Sequence, residues 1–178
     1  MSKCMWFVCS AILLAGWPLF AQDDAASARS AAGCGPSQEM FDVQTTDAKH
    51  PVGQNESGKA LVYFFVDYIN APTMRVGVDG KWVGANKGKS YFFFPVEPGE
   101  HRLCTEWQSG TFKKTSERIG EAMHLTTEAG RTYYVRLNFA YQRMHLELSD
   151  DAEGQFLIAS SLFATSQTKR RAIAADDH

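Results

Sequence analysis

The residues with the most obvious capacity for phosphate chemistry are GANKGKS, residues 84–90. A phosphate-binding loop requires glycine, four residues and then Gly-Lys-Ser/Thr, and it leads from a strand into a helix. Counting back from Gly88 places Val83 where the first glycine belongs, and the YFFFP that follows is typical of a strand. We therefore interpret the stretch as a glycine-rich turn between two strands, and we predict no nucleotide site.

Potential metal ligands are too sparse to predict a metal site. His145 and Glu147 would share one face of a strand, because side chains repeat every second residue. His101 lies three residues before Cys104. Neither pair has a third ligand at a suitable spacing. We predict no metal and no cofactor, and we interpret these side chains as polar positions of the scaffold.

The sequence contains no recognisable catalytic motif. Gly-x-Ser-x-Gly is absent, and Ser109 before Gly110 is interpreted as a loop residue. Asp67 is the most unusual acid, because it follows the apolar run ALVYFFV; a charge there must be paired, exposed at the strand end or shifted in pKa. Its position just before Asn-Ala-Pro favours exposure. We predict no catalytic residue and no enzyme activity.

Length and composition indicate one ordinary globular domain. The chain has 178 residues, of which 44% are hydrophobic and 21% charged, with a formal net charge of −2. That length is sufficient for a hydrophobic core. The charge balance does not indicate the excess of basic residues that is typical of nucleic-acid-binding proteins.

The N-terminal segment, residues 1–21, has the pattern of a secretory signal peptide. Lys3 precedes an apolar run that ends at the small residue Ala21, and the polar QDDAAS follows. The alternative is an uncleaved membrane anchor, and this is the only way in which we expect the protein to contact a membrane. A lipid-bearing cysteine at Cys34 is disfavoured, because Cys34 lies well beyond the apolar run. We predict an exported protein that begins at Gln22, in the periplasm, the cell envelope or the extracellular space.

The rest of the chain predicts an antiparallel β-sandwich of seven to eight strands with a short C-terminal helix. Short apolar or alternating runs are separated by turn signals such as Asp79-Gly80 and Glu97-Pro98-Gly99-Glu100. An Asp150 or Asp151 cap predicts a helix over residues 152–162. The domain is expected to span residues 58–163, between a flexible arm at 22–57 and a disordered polar tail at 164–178.

Several aromatic residues of the predicted strands are candidates for a binding surface. Alternation along TYYVRLNF places Tyr134 on the face opposite Val135 and Leu137, and Trp82 lies beside a turn. Exposed aromatic rings can mark a binding surface, whereas most rings in strands pack within the sheet. Trp82 and Tyr134 are therefore predicted as the candidate binding surface.

Two cysteines remain after removal of residues 1–21, and we predict that they form a disulfide. On HRLCTEW, Leu103 and Trp107 share one face, so Cys104 points to the other, where the arm that carries Cys34 can reach it. Export to an oxidising compartment favours pairing. Two free thiols or pairing between chains are the alternatives.

The stretch VGVDGKWVGANKGKSYFFFPVEPGEHRL resembles a bacterial family, domain-of-unknown-function family 2846. GKALVYFF before it and EAGRTYYVRL after it also fit that family. The Val-Asp-Gly-Lys and Pro-Gly-Glu-His turns also look like those of PEGA-type surface domains. The resemblance implies a small β-sandwich of unassigned role, and it supplies no catalytic residue to transfer.

The leading hypothesis is a non-catalytic, exported binding or structural module. Its partner would be an envelope polysaccharide or protein. The alternative is a hydrolase whose site is assembled from loops. A deep cleft with convergent His, Asp or Glu would favour the hydrolase, whereas a flat face with exposed Trp82 and Tyr134 would favour binding.

Overall fold

The structure is a computed structural model that describes residues 19–108, 120–140 and 143–169. Most of the predicted signal segment and residues 170–178 of the predicted tail therefore lie outside the described residues. Within the described ranges, no helix is both long and apolar enough to cross a membrane.

The described residues form ten strands and two helices, and most strands are short runs rich in aromatic and β-branched residues. The helices are α1 (Leu19–Ala31) and α2 (Asp151–Ser160). The strands are β1 (Met40–Thr46), β2 (Ala60–Val66), β3 (Met74–Val78), β4 (Lys81–Asn86), β5 (Ser90–Val96), β6 (Gly99–Trp107), β7 (Gly120–Thr127), β8 (Thr132–Ala140), β9 (Arg143–Ser149) and β10 (Leu162–Lys169).

The strands form two sheets. One has six strands in the order β1-β10-β5-β2-β8-β9, and the other has four in the order β4-β3-β6-β7. The predicted all-β, sandwich-like fold is therefore confirmed. Two details differ from the expected antiparallel β-sandwich of seven to eight strands: there are ten described strands, and β2–β8 and β10–β5 pair in parallel.

The main core lies between the two sheets. Alternating residues of β3 and β8 point into it as predicted, with Met74, Val76, Val135 and Leu137 fully buried. Leu103 of β6 joins them. The side chains between these positions consequently point to the outer faces of the sheets, where the rest of the chain covers them.

A second apolar cluster lies on the outer face of the six-stranded sheet. Its central strand, β2, is buried on both faces, as its continuous apolar sequence predicts. The helix α2 covers this face, and Asp150 caps it by accepting a hydrogen bond from the backbone N–H of Glu153. The cluster contains Leu61, Tyr63, Phe65, Tyr91, Tyr134 and Leu157.

The predicted turns occur where the sequence places them. Asp79 and Gly80 connect β3 to β4 with φ of 50° and 83°, as a type I′ turn requires. Gly99, with φ of 139°, begins β6 after Pro98. GANKGKS forms the end of β4, a turn at Gly88 and the start of β5, so no helix follows it.

Both ends of the domain are more regular than we predicted. Part of the expected arm forms α1 and β1, and part of the expected tail forms β10, which pairs with β1 over seven residues. The domain therefore extends beyond residues 58–163. Both strands have polar, exposed outward positions, which is why their apolar alternation is too weak to predict them.

Candidate functional site

The two signature turns of the sequence are joined by one histidine. Asp79 accepts hydrogen bonds from the backbone N–H of Arg102 at 2.8 Å and from His101 Nδ1 at 2.7 Å. Nε2 of His101 lies 2.7 Å from the carbonyl oxygen of Glu97. Burial lowers the pKa of His101, but the bonds with Asp79 and Glu97 outweigh it and raise the pKa overall. Both ring nitrogens are occupied, so this histidine joins turns within the scaffold.

The predicted disulfide is present and fixes the arm to the outer face of the four-stranded sheet. Cys34 and Cys104 are bonded, with their Cα atoms 5.1 Å apart. The arm lies very close to β3, because a Cβ on Gly77 would meet the carbonyl oxygen of Gly33 at 2.6 Å. Glycine at position 77 therefore permits the close approach that the disulfide holds.

Beside the disulfide, a buried carboxylate holds two arginines. Glu106 accepts two hydrogen bonds from Arg29 of α1, at 2.5 and 2.6 Å, and one from Arg75 of β3 at 2.7 Å. Arg75 and Glu106 are each 2% exposed. The hydrogen bonds that Arg29 donates to Glu106, and the charge of Glu106, raise the pKa of Arg29 although partial burial lowers it. The ion cluster thus connects α1 to the sheet.

Trp82 is half-buried beneath the arm, rather than the freely exposed ring that we predicted. Its indole Nε1 donates to the carbonyl oxygen of Pro36 at 2.7 Å. The guanidinium of Arg75 lies over the face of the Trp82 ring, with its Cζ 4.4 Å from the ring centroid. Nη1 of Arg75 in turn donates to the carbonyl oxygen of Ser37 at 3.2 Å. Trp82 and Arg75 therefore bind the arm's own backbone.

Tyr134 is also covered, and it lies on a different face of the molecule. It does point away from the main core, as alternation predicts, but α2 packs over it and leaves it 9% exposed. A Cβ on Gly154 of α2 would meet its ring at 2.3 Å. Trp82 belongs to the four-stranded sheet and Tyr134 to the six-stranded sheet, so the structure does not bring the two predicted residues onto one surface.

Asp67 is paired rather than simply exposed at its strand end. It accepts a hydrogen bond from Arg136 and lies 3.3 Å from Nζ of Lys89. Burial raises the pKa of Asp67, but Arg136 and Lys89 outweigh it and hold the pKa below the ordinary value. Arg136 also binds Glu153 of α2 at 2.6 Å. This cluster therefore attaches the helix to the end of β2.

The predicted polar positions of β9 lie on the surface. His145 is exposed, with Nδ1 3.2 Å from Oε1 of Glu121, and Glu147 lies 3.7 Å from Arg136. Leu148 is 53% exposed, although its alternation with the buried Met144 and Leu146 predicts an inward position. In the part of the chain that the structure describes, no group of three or more His, Cys, Asp or Glu side chains is placed to hold a metal ion.

A shallow cavity of about 620 Å³ lies at one end of the sandwich. It lies between the turn after β2, the turn between β4 and β5, and the end of α2. Its rim combines Ile69 and Leu162 with Lys87 and Lys89. We did not predict this site. The available signal was a large apolar residue, Ile69, inside a segment that otherwise breaks a strand.

The family comparison agrees with these signature turns. The model of the family described as "Protein of unknown function (DUF2846)" matches residues 56–148, just over half of the chain. The chain belongs to this family. The matched region contains the Asp79–His101 pair and Cys104, whereas Cys34, β1 and β10 lie outside it.

One curated relative of this DUF2846 chain is an uncharacterised protein of Haemophilus influenzae. It is 22% identical over 99 residues, which are 54% of this chain and 54% of the relative. The chain therefore spans about half the length of the curated relative that it matches. No solved structure matches the chain. The PEGA-type likeness stays a prediction.

Proposed function

We propose that the protein is an exported, non-catalytic binding or structural module of the cell envelope. The observation that carries the proposal is the Cys34–Cys104 disulfide. Disulfides persist in oxidising compartments and are rare in the cytosol. The bond closes a loop between the arm and the sheet with a sequence separation of 70 residues, so it supports a protein that is stabilised for an environment outside the cytosol.

The arrangement of the polar residues supports a non-catalytic role. His101 uses both ring nitrogens to join two turns. Glu106 is held by Arg29 and Arg75 in a buried cluster. A general base needs a free lone pair within reach of a substrate proton. These groups instead form their hydrogen bonds within the scaffold, which supports a structural or binding role over a catalytic one.

Cell fractionation combined with alkylation of thiols tests export. The full chain, expressed in a bacterial host, is expected in the periplasmic or envelope fraction, beginning at Gln22, with Cys34 and Cys104 protected from alkylation until a reductant is added. A control that lacks residues 1–21 should stay in the cytoplasm with both thiols reactive. A full chain that is found in the cytoplasm with two alkylated cysteines would contradict the proposal.

Co-sedimentation tests the binding role separately. The exported protein is incubated with wall polysaccharide and with membranes that were purified apart from the same envelope. We expect it to sediment with at least one of the two. If it stays in the supernatant with both, the binding role is wrong.

A further inference from the structure

Two exposed apolar side chains, Ile69 and Leu162, line the cavity, and the exposed Tyr68 directly precedes Ile69 in the chain. Ile69 is 77% exposed, Tyr68 is 47% exposed and Leu162 is 36% exposed. An isolated exposed apolar residue is ordinary, but a cluster of them usually indicates an interaction surface. We call Tyr68, Ile69, Leu162, Lys87 and Lys89 the docking end.

The docking end is held rigidly, so the exposure of Ile69 does not come from a loose loop. The backbone N–H of Gly88 donates to the carbonyl oxygen of Ala71 at 2.9 Å, and that of Leu162 donates to Lys89 at 3.1 Å. These two bonds tie three chain segments together. The ring of Tyr68 packs on Phe139, with centroids 5.3 Å apart. Because its neighbours are fixed, Ile69 is held outward in a defined position.

The cations beside Ile69 give the docking end its charge. Lys87 is exposed at the cavity rim, and Lys89 lies next to it. Among the described residues, the cavity lining contains these two lysines and no carboxylate. Lys89 also pairs with Asp67 beside the cavity. Arg136, the other partner of Asp67, binds Glu147 and Glu153 as well, so that cluster adds no positive charge. At the other end of β9, the comparably exposed Leu148 lies instead beside two acids, Asp150 and Asp151, and one cation, Arg131. The two ends therefore differ in charge although both expose an aliphatic side chain.

We propose that the docking end binds the surface of an anionic phospholipid bilayer. Ile69 and Leu162 enter the boundary between headgroups and acyl chains, and Tyr68 lies at headgroup level, where its ring and hydroxyl are both satisfied. Lys87 and Lys89 attract the anionic headgroups. The inference rests on the proposed export of the protein, and it names the envelope component that this surface contacts. It adds a membrane contact to the one that we expected from the sequence, which was an uncleaved N-terminal anchor.

The shape and chemistry of the docking end favour a bilayer over a polysaccharide. Sugars usually stack on flat aromatic rings and exchange hydrogen bonds with polar side chains, whereas Ile69 is aliphatic and projects from a turn. An apolar side chain flanked by lysines matches the order of a membrane surface, in which hydrocarbon lies beneath an anionic layer. The cavity between the lysines and Leu162 then has room for headgroup phosphates.

Vesicle binding tests the inference. The exported form of the protein is mixed with vesicles of phosphatidylglycerol and phosphatidylcholine, and with vesicles of phosphatidylcholine alone, and the bound fraction is measured by sedimentation. We expect binding to the anionic vesicles that weakens with added salt. Ile69→Asp should lower the binding constant by about tenfold or more. Lys87→Glu, which changes two unit charges, should lower it by about thirtyfold.

Leu148→Asp supplies the matched control. It places the same acid on a comparably exposed aliphatic position at the acidic end, and it should leave vesicle binding unchanged. All variants are first checked for an intact disulfide and an unchanged circular dichroism spectrum. Equal binding by wild type and Ile69→Asp, or equal binding to neutral and anionic vesicles, would overturn the inference. Export, measured by fractionation, and sedimentation with wall polysaccharide would remain separate results, so failure here is distinguishable from failure of the proposed function.

Discussion

Arg75 and Glu106 face each other on neighbouring strands and form an ion pair that the arm seals from water. Nη2 of Arg75 lies 2.7 Å from Oε2 of Glu106. The same carboxylate receives Arg29 from α1, and Arg75 stacks on Trp82. One buried acid consequently links a helix, two strands and the covering arm. Since a buried charge is costly when its partner is lost, this pair should be sensitive to mutation.

Glu106→Gln should lower the free energy of unfolding by about 3–5 kcal/mol, because it leaves two arginines without the carboxylate that they share. Chemical denaturation of the oxidised protein measures this change. Glu121→Gln is the matched control on the neighbouring strand β7. Glu121 is more exposed, so its loss should cost less than about 1 kcal/mol. Similar costs for both variants would show that the buried cluster does not stabilise the fold as described.

Loss of the disulfide should lower the free energy of unfolding by about 4 kcal/mol, the value that the chain-entropy model gives for its sequence separation of 70 residues. The measurement compares denaturation of the wild type with that of the double variant Cys34→Ser, Cys104→Ser. Reductant should shift the wild type toward the variant and leave the variant itself unchanged. A wild type that is equally stable with and without reductant would contradict the expectation.

The sequence predicts those parts of this fold that depend on local patterns. Alternation in β3 and β8 predicts the core positions, and the Asp79-Gly80 dipeptide predicts its turn, because both depend on residues close together in the chain. The face of Cys104 follows from the same alternation. These inferences need no knowledge of which strands pair.

The parts that could not be predicted depend on distant partners. β1 and β10 stabilise each other although neither has a strong pattern of its own. Tyr134 does point away from the main core, but the sequence does not reveal that α2 returns to cover it. The docking end is likewise assembled from segments some 90 residues apart, from Ile69 to Leu162, so no local motif marks it.

The pKa of His101 should lie above the ordinary value of about 6.5. The charged ring donates to both Asp79 and Glu97, and these bonds outweigh the effect of burial. A raised pKa means that this stabilisation is fully present below about pH 6.5 and is lost as the pH rises through the folded-state value. NMR titration of the ring protons should show the shift, and Asp79→Asn should reduce it.

The stability that Asp79 contributes to the same pair depends on pH in the opposite direction. Burial raises the pKa of Asp79, but the bonds from Arg102 and His101 hold it below the ordinary value. Its contribution is therefore present above about pH 4 and is lost as the pH falls further. A His101 resonance that titrates at the same pH in wild type and in Asp79→Asn would contradict the role of this pair.

Gly154→Ala should destabilise the protein, although the same change in an exposed helix stabilises it by about 1 kcal/mol. Gly154 lies in α2 directly above Tyr134, and an added Cβ would meet ring atoms of that residue at 2.3 to 2.6 Å. Either the helix or the buried ring must move, at a typical overpacking cost of about 1–3 kcal/mol.

Denaturation of a double-mutant cycle separates the two effects. In wild type, Gly154→Ala should lower the free energy of unfolding, and in a Tyr134→Ala background it should raise it, because the ring that opposes the methyl group is gone and only the helix preference remains. Thermal unfolding of the four proteins gives the interaction term directly. A stabilising effect of Gly154→Ala in both backgrounds would show that the helix does not press on Tyr134 as closely as this packing requires.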